Sequence, residues 1–183
     1  MKIAGIHSAI RVRTRRRPNG VETVVTIDHR IPGARTSPAA RWQISTSPAR
    51  LPASEFDNAA AVNRRFGEGR AIRCVDLETD TTTAAVAYHL DDNAALPILL
   101  TDVATRTDPD WMATSQGCVP ILKTYLHELG SRLGRPADVA YFAATENVAA
   151  TYARRYGFRR APVPSAWKAS GPYYLVQPFA DGH

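Results

Sequence analysis

The sequence has few cysteines and no long apolar stretch. Its two cysteines, Cys74 and Cys118, lie far apart and show neither Cys-x-x-Cys nor Cys–His spacing, a pattern that argues against a disulfide framework or a zinc site. No stretch approaches the roughly 18 apolar residues that a membrane span needs. Arginines from Arg11 to Arg17 interrupt the segment where a secretory signal would be apolar. We therefore expect a cytoplasmic protein with no membrane partner and no bound metal.

Lysine is also scarce, and the charge is unevenly distributed. Only three of the 23 basic residues are lysine, and the formal net charge is +6. Residues 1–50 carry ten basic and two acidic residues, whereas residues 51–183 carry thirteen basic and fifteen acidic ones. The N-terminal segment is thus a candidate surface for RNA or for a protein partner. Such a bias towards arginine often reflects genome composition rather than selection for a ligand.

Length and composition predict a single globular domain over residues 1–183. The chain is 44% hydrophobic and 22% charged, which is enough apolar material for a packed core and excludes wholesale disorder. Residues 1–50 are predicted to form an arginine-rich hairpin and loop, and residues 51–183 the core.

Apolar periodicity predicts an α/β (or α+β) fold with a mixed, mostly antiparallel sheet flanked by helices. Alternation over residues 2–13 and 21–27, around the turn-forming Arg17–Gly20, predicts an N-terminal β-hairpin. Helices are expected at residues 54–66, 118–133 and 145–156, and further strands at 41–45, 70–77, 83–90, 97–105, 139–143 and 171–179. The strands at 97–105 and 139–143 flank a helix, so they should be parallel.

The C-terminal part of this layout resembles a known family. Residues 147–158 read Asn-Val-Ala-Ala-Thr-Tyr-Ala-Arg-Arg-Tyr-Gly-Phe, and they follow a strand, a helix and a second strand. This arrangement, over roughly residues 70–160, is similar to the Gcn5-related N-acetyltransferases (GNAT). The resemblance implies a GNAT-like fold, acetyl-CoA or another acyl-CoA as cofactor, and an amine acceptor of unknown identity. The family often pairs through C-terminal strands, so the resemblance allows a homodimer and leaves the oligomeric state open.

The resemblance also implies where the cofactor's pyrophosphate would bind. Family members present backbone N–H groups from a turn of the form Gln/Arg-x-x-Gly-x-Gly/Ala, placed ahead of a helix. The corresponding positions here are Ser115, Gln116, Gly117 and Cys118. Only one glycine is present, so the turn departs from the family's pattern.

The pantetheine arm of the cofactor would hydrogen-bond the backbone of one strand as an added strand would. By register the resemblance assigns this contact to Val103, Ala104 and Thr105, with Asn147 on the far side of the arm. A plain helix-start role fits Asn147 equally well.

Direct acyl transfer needs a base for the amine and an acid for the leaving thiolate. Asp102, in an apolar strand, is the candidate base, although a solvent-facing carboxylate at a strand end is an equal alternative. Tyr152 and Tyr156 are the candidate acids. The family's tyrosine lies four residues before the glycine of Gly-Phe, where this sequence has Ala153, so packing roles for both tyrosines stay open.

Two functions therefore remain as hypotheses. The first is an acyl-CoA-dependent N-acyltransferase. The alternative is a non-catalytic module with the same fold, which would bind RNA or a protein through its arginine-rich N-terminal segment. The segment between Arg106 and Cys118 separates them, because the enzyme needs free backbone N–H groups there and room for two phosphates.

Overall fold

A computed structural model describes the backbone of residues 8–17, 20–29, 41–167 and 171–178, and side chains within 42–167 and 171–178. The chain divides into two compact units, described in turn below. The first comprises the described residues up to Ala87 together with Asp102–Leu122. The second comprises Tyr88–Thr101 and the described residues from Lys123 onward.

Consecutive antiparallel strands dominate the first unit. They are β1 (Ser8–Arg17), β2 (Gly20–His29), β3 (Arg41–Ser45), β4 (Ala71–Asp76) and β5 (Thr81–His89). Each pairs with the next along the chain. The register of β1 and β2 runs from Ser8 opposite His29 to Arg17 opposite Gly20. The predicted N-terminal hairpin is thus confirmed, while the centre of its turn and the following loop at 30–40 lie outside the described residues.

Helix α1 (Ala59–Gly67) covers this sheet and begins later than predicted. Its buried Val62 and Phe66 join Leu51 and Phe56 in one apolar cluster with alanines of the strands. The expected start at residue 54 is wrong because residues 55–57 bond the backbone of Thr105 and Thr107 instead. A segment whose N–H and C=O groups bond a strand cannot supply the local bonds of a helical turn.

The second unit contains the parallel crossover that the sequence predicted. Its elements are the first half of β6 (Ile98–Thr105), β7 (Val139–Ala143), α3 (Glu146–Tyr156), β8 (Arg159–Arg160) and β9 (Tyr173–Gln177). β6 and β7 are parallel, with Ile98 opposite Val139. β9 is antiparallel to both β7 and β8. The short β8 was not predicted, because a strand of two residues has no periodicity to detect.

Helix α2 (Pro109–Arg132) runs from the first unit into the second, and its start corrects the sequence-based boundary. It begins at Pro109 and not at Cys118. The Asp108 carboxylate accepts a hydrogen bond from the N–H of Asp110 at 2.9 Å, and proline suits the first helical position. Pro120, which would fall in the first turn of a helix starting at residue 118, lies inside the observed helix.

The observed strands and helices confirm the predicted fold class. Among the described residues, the pairs β1–β2, β2–β3, β3–β4, β4–β5, β7–β9 and β8–β9 are antiparallel, and the pair β6–β7 is parallel. Helices accompany the strands in both units. Among the described residues, no helix has the length and apolar character to cross a bilayer.

Candidate active site

The predicted phosphate-binding residues lie within α2 rather than in a turn. Ser115, Gln116, Gly117 and Cys118 all fall well after the helix start at Pro109. Interior N–H groups of an α-helix bond the carbonyl four residues earlier, so these four positions offer no free donors to a pyrophosphate. The prediction of a turn at 115–118 is wrong, because the N-cap and proline at 108–109 begin the helix earlier.

Ser115 and Cys118 have structural roles in the packing of α2. The Ser115 hydroxyl accepts from the backbone N–H of Arg106 at 2.8 Å and donates to the carbonyl of Thr83 at 2.6 Å. The Thr83 hydroxyl in turn donates to Sγ of Cys118 at 3.2 Å. All three side chains are fully buried. They anchor α2 to the sheet of the first unit.

The actual N-terminus of α2 carries a carboxylate of the chain itself. Because the first N–H groups of a helix are unsatisfied and its dipole is positive there, this end attracts anions. Asp108 occupies that position as the cap. Arg106, the nearby cation, is also engaged. Its guanidinium forms an ion pair with Glu55 at 2.9 Å and lies 5.3 Å from the ring centroids of Phe56 and Trp111.

The strand predicted to bind the pantetheine arm is bonded by a segment of the first unit. The N–H and hydroxyl of Thr105 donate to the two carboxylate oxygens of Asp57, at 2.5 and 3.0 Å. The Thr105 carbonyl accepts from the N–H of Asp57 at 3.1 Å. The Asn58 amide donates to the Val103 carbonyl at 3.1 Å. These contacts, which we call the β6 edge lock, use the backbone groups that the resemblance assigned to a cofactor. The third position, Ala104, is buried.

Asp102 and the two tyrosines belong to different units and are placed separately. Asp102 is half-buried in the part of β6 that belongs to the first unit. In the second unit, the ring of Tyr152 stacks on Tyr141 at a centroid distance of 4.1 Å and an interplanar angle of 4°. Its edge contacts with Tyr156 and Phe158 lie at 5.3 and 5.4 Å. Both candidate acids are therefore members of one aromatic cluster, and their catalytic roles stay predictions.

Asn147 is exposed in the first turn of α3. Thr145 is the N-cap, and its hydroxyl accepts from the N–H of Val148 at 3.3 Å. The Asn147 carbonyl accepts from the Thr151 hydroxyl at 2.8 Å. Since Thr145 already caps the helix, capping does not require the Asn147 side chain.

Sequence reasoning missed Lys123, which is 1% exposed in the second unit. Its Nζ donates to the Tyr156 carbonyl and to Oε1 of Gln177, each at 2.8 Å. It also lies 4.8 and 4.9 Å from the ring centroids of Tyr156 and Phe158. Burial lowers the pKa of Lys123 to about 7. The detectable signal was a lysine beside Ile121, Leu122 and Leu126 on the apolar side of a helix.

His127, one turn further along α2, belongs to the same buried polar group. Its ring Nδ1 hydrogen-bonds the Ala137 carbonyl, and the Gln177 amide also contacts the ring. Burial lowers the pKa of His127, and the neighbouring Lys123 charge acts in the same direction. His127 is 5% exposed, so its ring is packed in the interior of the second unit.

The cysteines and the remaining acidic side chains form no metal site in the described part of the chain. Cys74 and Cys118 are buried free thiols, and burial raises the pKa of the Cys74 thiol well above its ordinary value. No three His, Cys, Asp or Glu side chains among the residues described come together as metal ligands.

An open pocket of about 580 Å³ lies beside α1 in the first unit. Residues 49–53 line one side, and Ala59, Ala60 and Asn63 of the helix line the other. The Asn63 amide bonds both backbone groups of Leu51, at 2.8 and 2.9 Å, which fixes the two walls. Arg50 is the pocket's charged residue.

No family model matches the sequence. A search of curated proteins also found no match. Solved structures with a similar fold include a GNAT-family acetyltransferase from Listeria monocytogenes, with 14% identity, a TM-score of 0.41, and coverage of 65% of this chain and 69% of that one. Another is Ard1 from Thermoplasma volcanium, with 14% identity, a TM-score of 0.41, and coverage of 64% and 75%.

A third is Arabidopsis thaliana Naa50 in complex with a CoA-containing bisubstrate analogue, with 14% identity and a TM-score of 0.41. The match covers 72% of this chain and 84% of that one. The Listeria protein is a member of the family that the present sequence resembles. These likenesses concern the fold and assign no activity to any residue of this chain.

Proposed function

We propose that the chain is an acyl-CoA-dependent N-acyltransferase that transfers an acetyl or another acyl group to an amine. The observation that carries the proposal is the direct passage from β6, which ends at Thr105, into α2, which begins at Pro109. Ligands of α/β proteins bind beyond the carboxyl ends of strands, and a helix N-terminus there favours phosphate. The resemblance of residues 147–158 to acetyltransferases supports the same activity.

The chemistry assigned to individual residues follows from that proposal. Acyl-CoA would supply the acyl group activated as a thioester. Asp102 would take the proton from the acceptor amine, and Tyr152 or Tyr156 would serve as proton donor. A cytoplasmic location and a homodimeric state are parts of the proposal that the sequence alone suggests, and the identity of the amine stays open.

The predicted cofactor residues do not fit acyl-CoA in the arrangement described. Asp108 places a negative charge where a phosphate would bind, and the β6 edge lock uses the backbone of Val103 and Thr105. Cofactor binding at β6 therefore requires Asp57 and Asn58 to release the strand. The Asp108 charge must also be offset by new contacts.

The same two features favour a second candidate function, a non-catalytic binding module with this fold. In such a module, side chains of the chain itself hydrogen-bond the start of α2 and the end of β6, as Asp108 and Asp57 do here. These hydrogen bonds stabilise the fold. A module that binds no cofactor does not need to break them.

The test is isothermal titration with acetyl-CoA, with desulfo-CoA as the ligand control. The informative variant is Asp108→Asn, because asparagine caps helices as well as aspartate does but carries no charge. Asp92→Asn is the matched control, since it removes an exposed carboxylate in the second unit. We expect micromolar binding, tightened up to about fivefold by Asp108→Asn, as removal of one charge near a helix N-terminus predicts.

Titration without heat at millimolar ligand, in both the wild type and Asp108→Asn, would eliminate the acyl-CoA assignment and leave the module. Equal tightening by the Asp92 control would mean that net charge alone governs affinity. In that case the start of α2 is not the phosphate site.

A further inference from the structure

The stretch of sequence on both sides of the end of α3 has no acidic residue. Residues 147–180 contain five basic residues and no aspartate or glutamate. Four of the five are arginines on either side of Gly157, and we call them the arginine cluster: Arg154, Arg155, Arg159 and Arg160. The first two lie in the last turn of α3 and the other two form β8.

A fixed turn joins the two halves of the cluster. Gly157 has a left-handed φ of 72°, and its N–H donates to the Ala153 carbonyl at 3.2 Å. The next residue, Phe158, is 3% exposed and anchors the turn in the core. β8 is then held by pairing of Arg159 opposite Val176 in β9. The backbone that carries the arginines is thus set by burial and hydrogen bonds.

The side chains themselves are solvent-exposed, and most carry an unneutralised charge. All four arginines of the cluster are exposed. Arg160 forms an ion pair with Glu146 and lies 5.0 Å over the ring of Tyr173. Within the part of the chain that the structure describes, Arg154, Arg155 and Arg159 form no ion pair.

The end of α1 offers a comparison, because it carries arginines for which the helix dipole and an ion pair account. The last turn of α1 also contains two arginines, Arg64 and Arg65. There, Glu68 follows within one turn and pairs with Arg65 at 2.6 Å. Cations at a helix C-terminus complement its dipole, and charges on an edge strand discourage unwanted pairing. The helix dipole accounts for Arg154 and Arg155, and edge-strand protection accounts for Arg159 and Arg160. Neither effect requires both pairs to lie side by side with few acidic partners, where like charges repel each other.

We infer that the arginine cluster is a binding surface for single-stranded nucleic acid, contacting its phosphodiester backbone. Guanidinium groups match phosphate oxygens with two parallel hydrogen bonds, which makes arginine suited to this ligand. The arginines lie at a helix end and on a two-residue strand, not along a helix face that could enter a duplex groove. This surface is separate in sequence from the arginine-rich N-terminal segment, and the inference does not depend on the proposed acyltransferase.

The test measures the affinity of the full chain for a fluorescently labelled oligouridine over a range of salt concentrations. The cluster variant is Arg154→Gln with Arg155→Gln. The matched control is Arg64→Gln with Arg65→Gln, which removes the same formal charge from the last turn of another helix. The N-terminal arginines are unchanged in both, so any background from them is shared.

We expect the cluster variant to reduce the salt slope of log affinity by about 1.4, because each phosphate contact on a single strand contributes about 0.7. At moderate salt its affinity should fall roughly tenfold or more, while the control keeps the wild-type slope. Adding Arg159→Gln should lower the slope by about 0.7 again. Thermal unfolding of each variant checks the fold, and Arg159→Gln alone serves if the helix-end variant unfolds.

Three results would overturn the inference. Equal losses of oligouridine affinity in the cluster variant and the α1 control would show that only the net charge of the protein matters. Binding of a labelled polyglutamate peptide as tight as that of oligouridine would make the partner an acidic protein segment. Binding of a duplex of equal length with the same affinity and slope would contradict a single-stranded ligand.

Discussion

The two units stabilise polar groups at their candidate sites in opposite ways. In the first unit, the exposed carboxylates of Asp57 and Asp108 bond backbone N–H groups at the end of β6 and the start of α2. In the second, the Lys123 amine is buried and bonds two carbonyl oxygens between aromatic rings. The first arrangement leaves its charges in water, whereas the second removes a titratable group from it.

Solvent exposure decides what each arrangement does to the free energy of unfolding. An exposed carboxylate keeps most of its hydration, so its hydrogen bonds add a modest stabilisation and break at a modest cost. A buried amine loses hydration, so its charged form is penalised and its pKa moves towards neutrality. We therefore expect substitution of the exposed carboxylates in the first unit to change the free energy of unfolding modestly. In the second unit, we expect the buried amine to make the free energy of unfolding depend on pH.

The largest expected effect is the pH dependence that Lys123 confers. Burial lowers its pKa from 10.5 to about 7, so between these values the unfolded chain binds more protons than the folded one. The free energy of unfolding of the wild type, relative to Lys123→Met, should then rise by up to about 1.4 kcal/mol per pH unit over that window. Well below pH 7 Lys123 is protonated in both states, so its own proton no longer contributes to the slope.

Urea unfolding at several pH values measures this difference. The control is Arg132→Met, which removes an exposed cation from the same helix and should give a difference independent of pH. A flat curve for Lys123→Met as well would mean that the amine titrates as in water.

Opening the β6 edge lock should have the next largest effect. Asp57→Ala removes the acceptor of both the N–H and the hydroxyl of Thr105, and we expect a loss of about 1.5 kcal/mol in stability. Hydrogen exchange should show faster exchange at the Thr105 amide. Asp92→Ala, which removes an exposed carboxylate of the second unit, should change neither quantity. If Thr105 exchanges as slowly as in the wild type, the lock does not depend on Asp57.

Removing the cap of α2 should destabilise the chain slightly less. We expect Asp108→Ala to lower the free energy of unfolding by about 1 kcal/mol, because the N–H of Asp110 loses its acceptor. Asp108→Asn should retain nearly all of the stability, since the amide oxygen also accepts. Denaturant unfolding of both variants measures the difference. Equal losses would show that charge, rather than capping, provides the stabilisation.

The smallest effect is expected at the ion pair between Glu146 and Arg160, whose side chains are 59% and 60% exposed. Glu146→Gln should change the stability by less than about 0.5 kcal/mol, because water screens exposed pairs. It also frees Arg160, so it should strengthen oligouridine binding if the arginine cluster contacts phosphates. A stability loss above about 1 kcal/mol would contradict the weak-pair estimate.

Elements with an uninterrupted local pattern were predictable from the sequence. The N-terminal hairpin follows from alternation, and β7 follows from a short continuous apolar run. Helix α3 follows from a capping Thr145 and a terminating Gly157. The start of α2 was misplaced because the apolar stripe begins near Cys118, whereas the helix begins where Asp108 and Pro109 supply the cap. Periodicity detects the buried part of a helix and overlooks its polar first turns.

The candidate site depended more heavily on tertiary structure. The sequence by itself determined the aromatic character of α3 and the local pattern of each strand and helix. The mixed sheet and the parallel crossover then follow from the order of these elements along the chain. Only the tertiary structure decided that Asp57 bonds Thr105 and that Lys123 is buried against Gln177. Each of these contacts joins residues about 50 positions apart. Such partners meet only once the elements have packed, so local periodicity carries no trace of them.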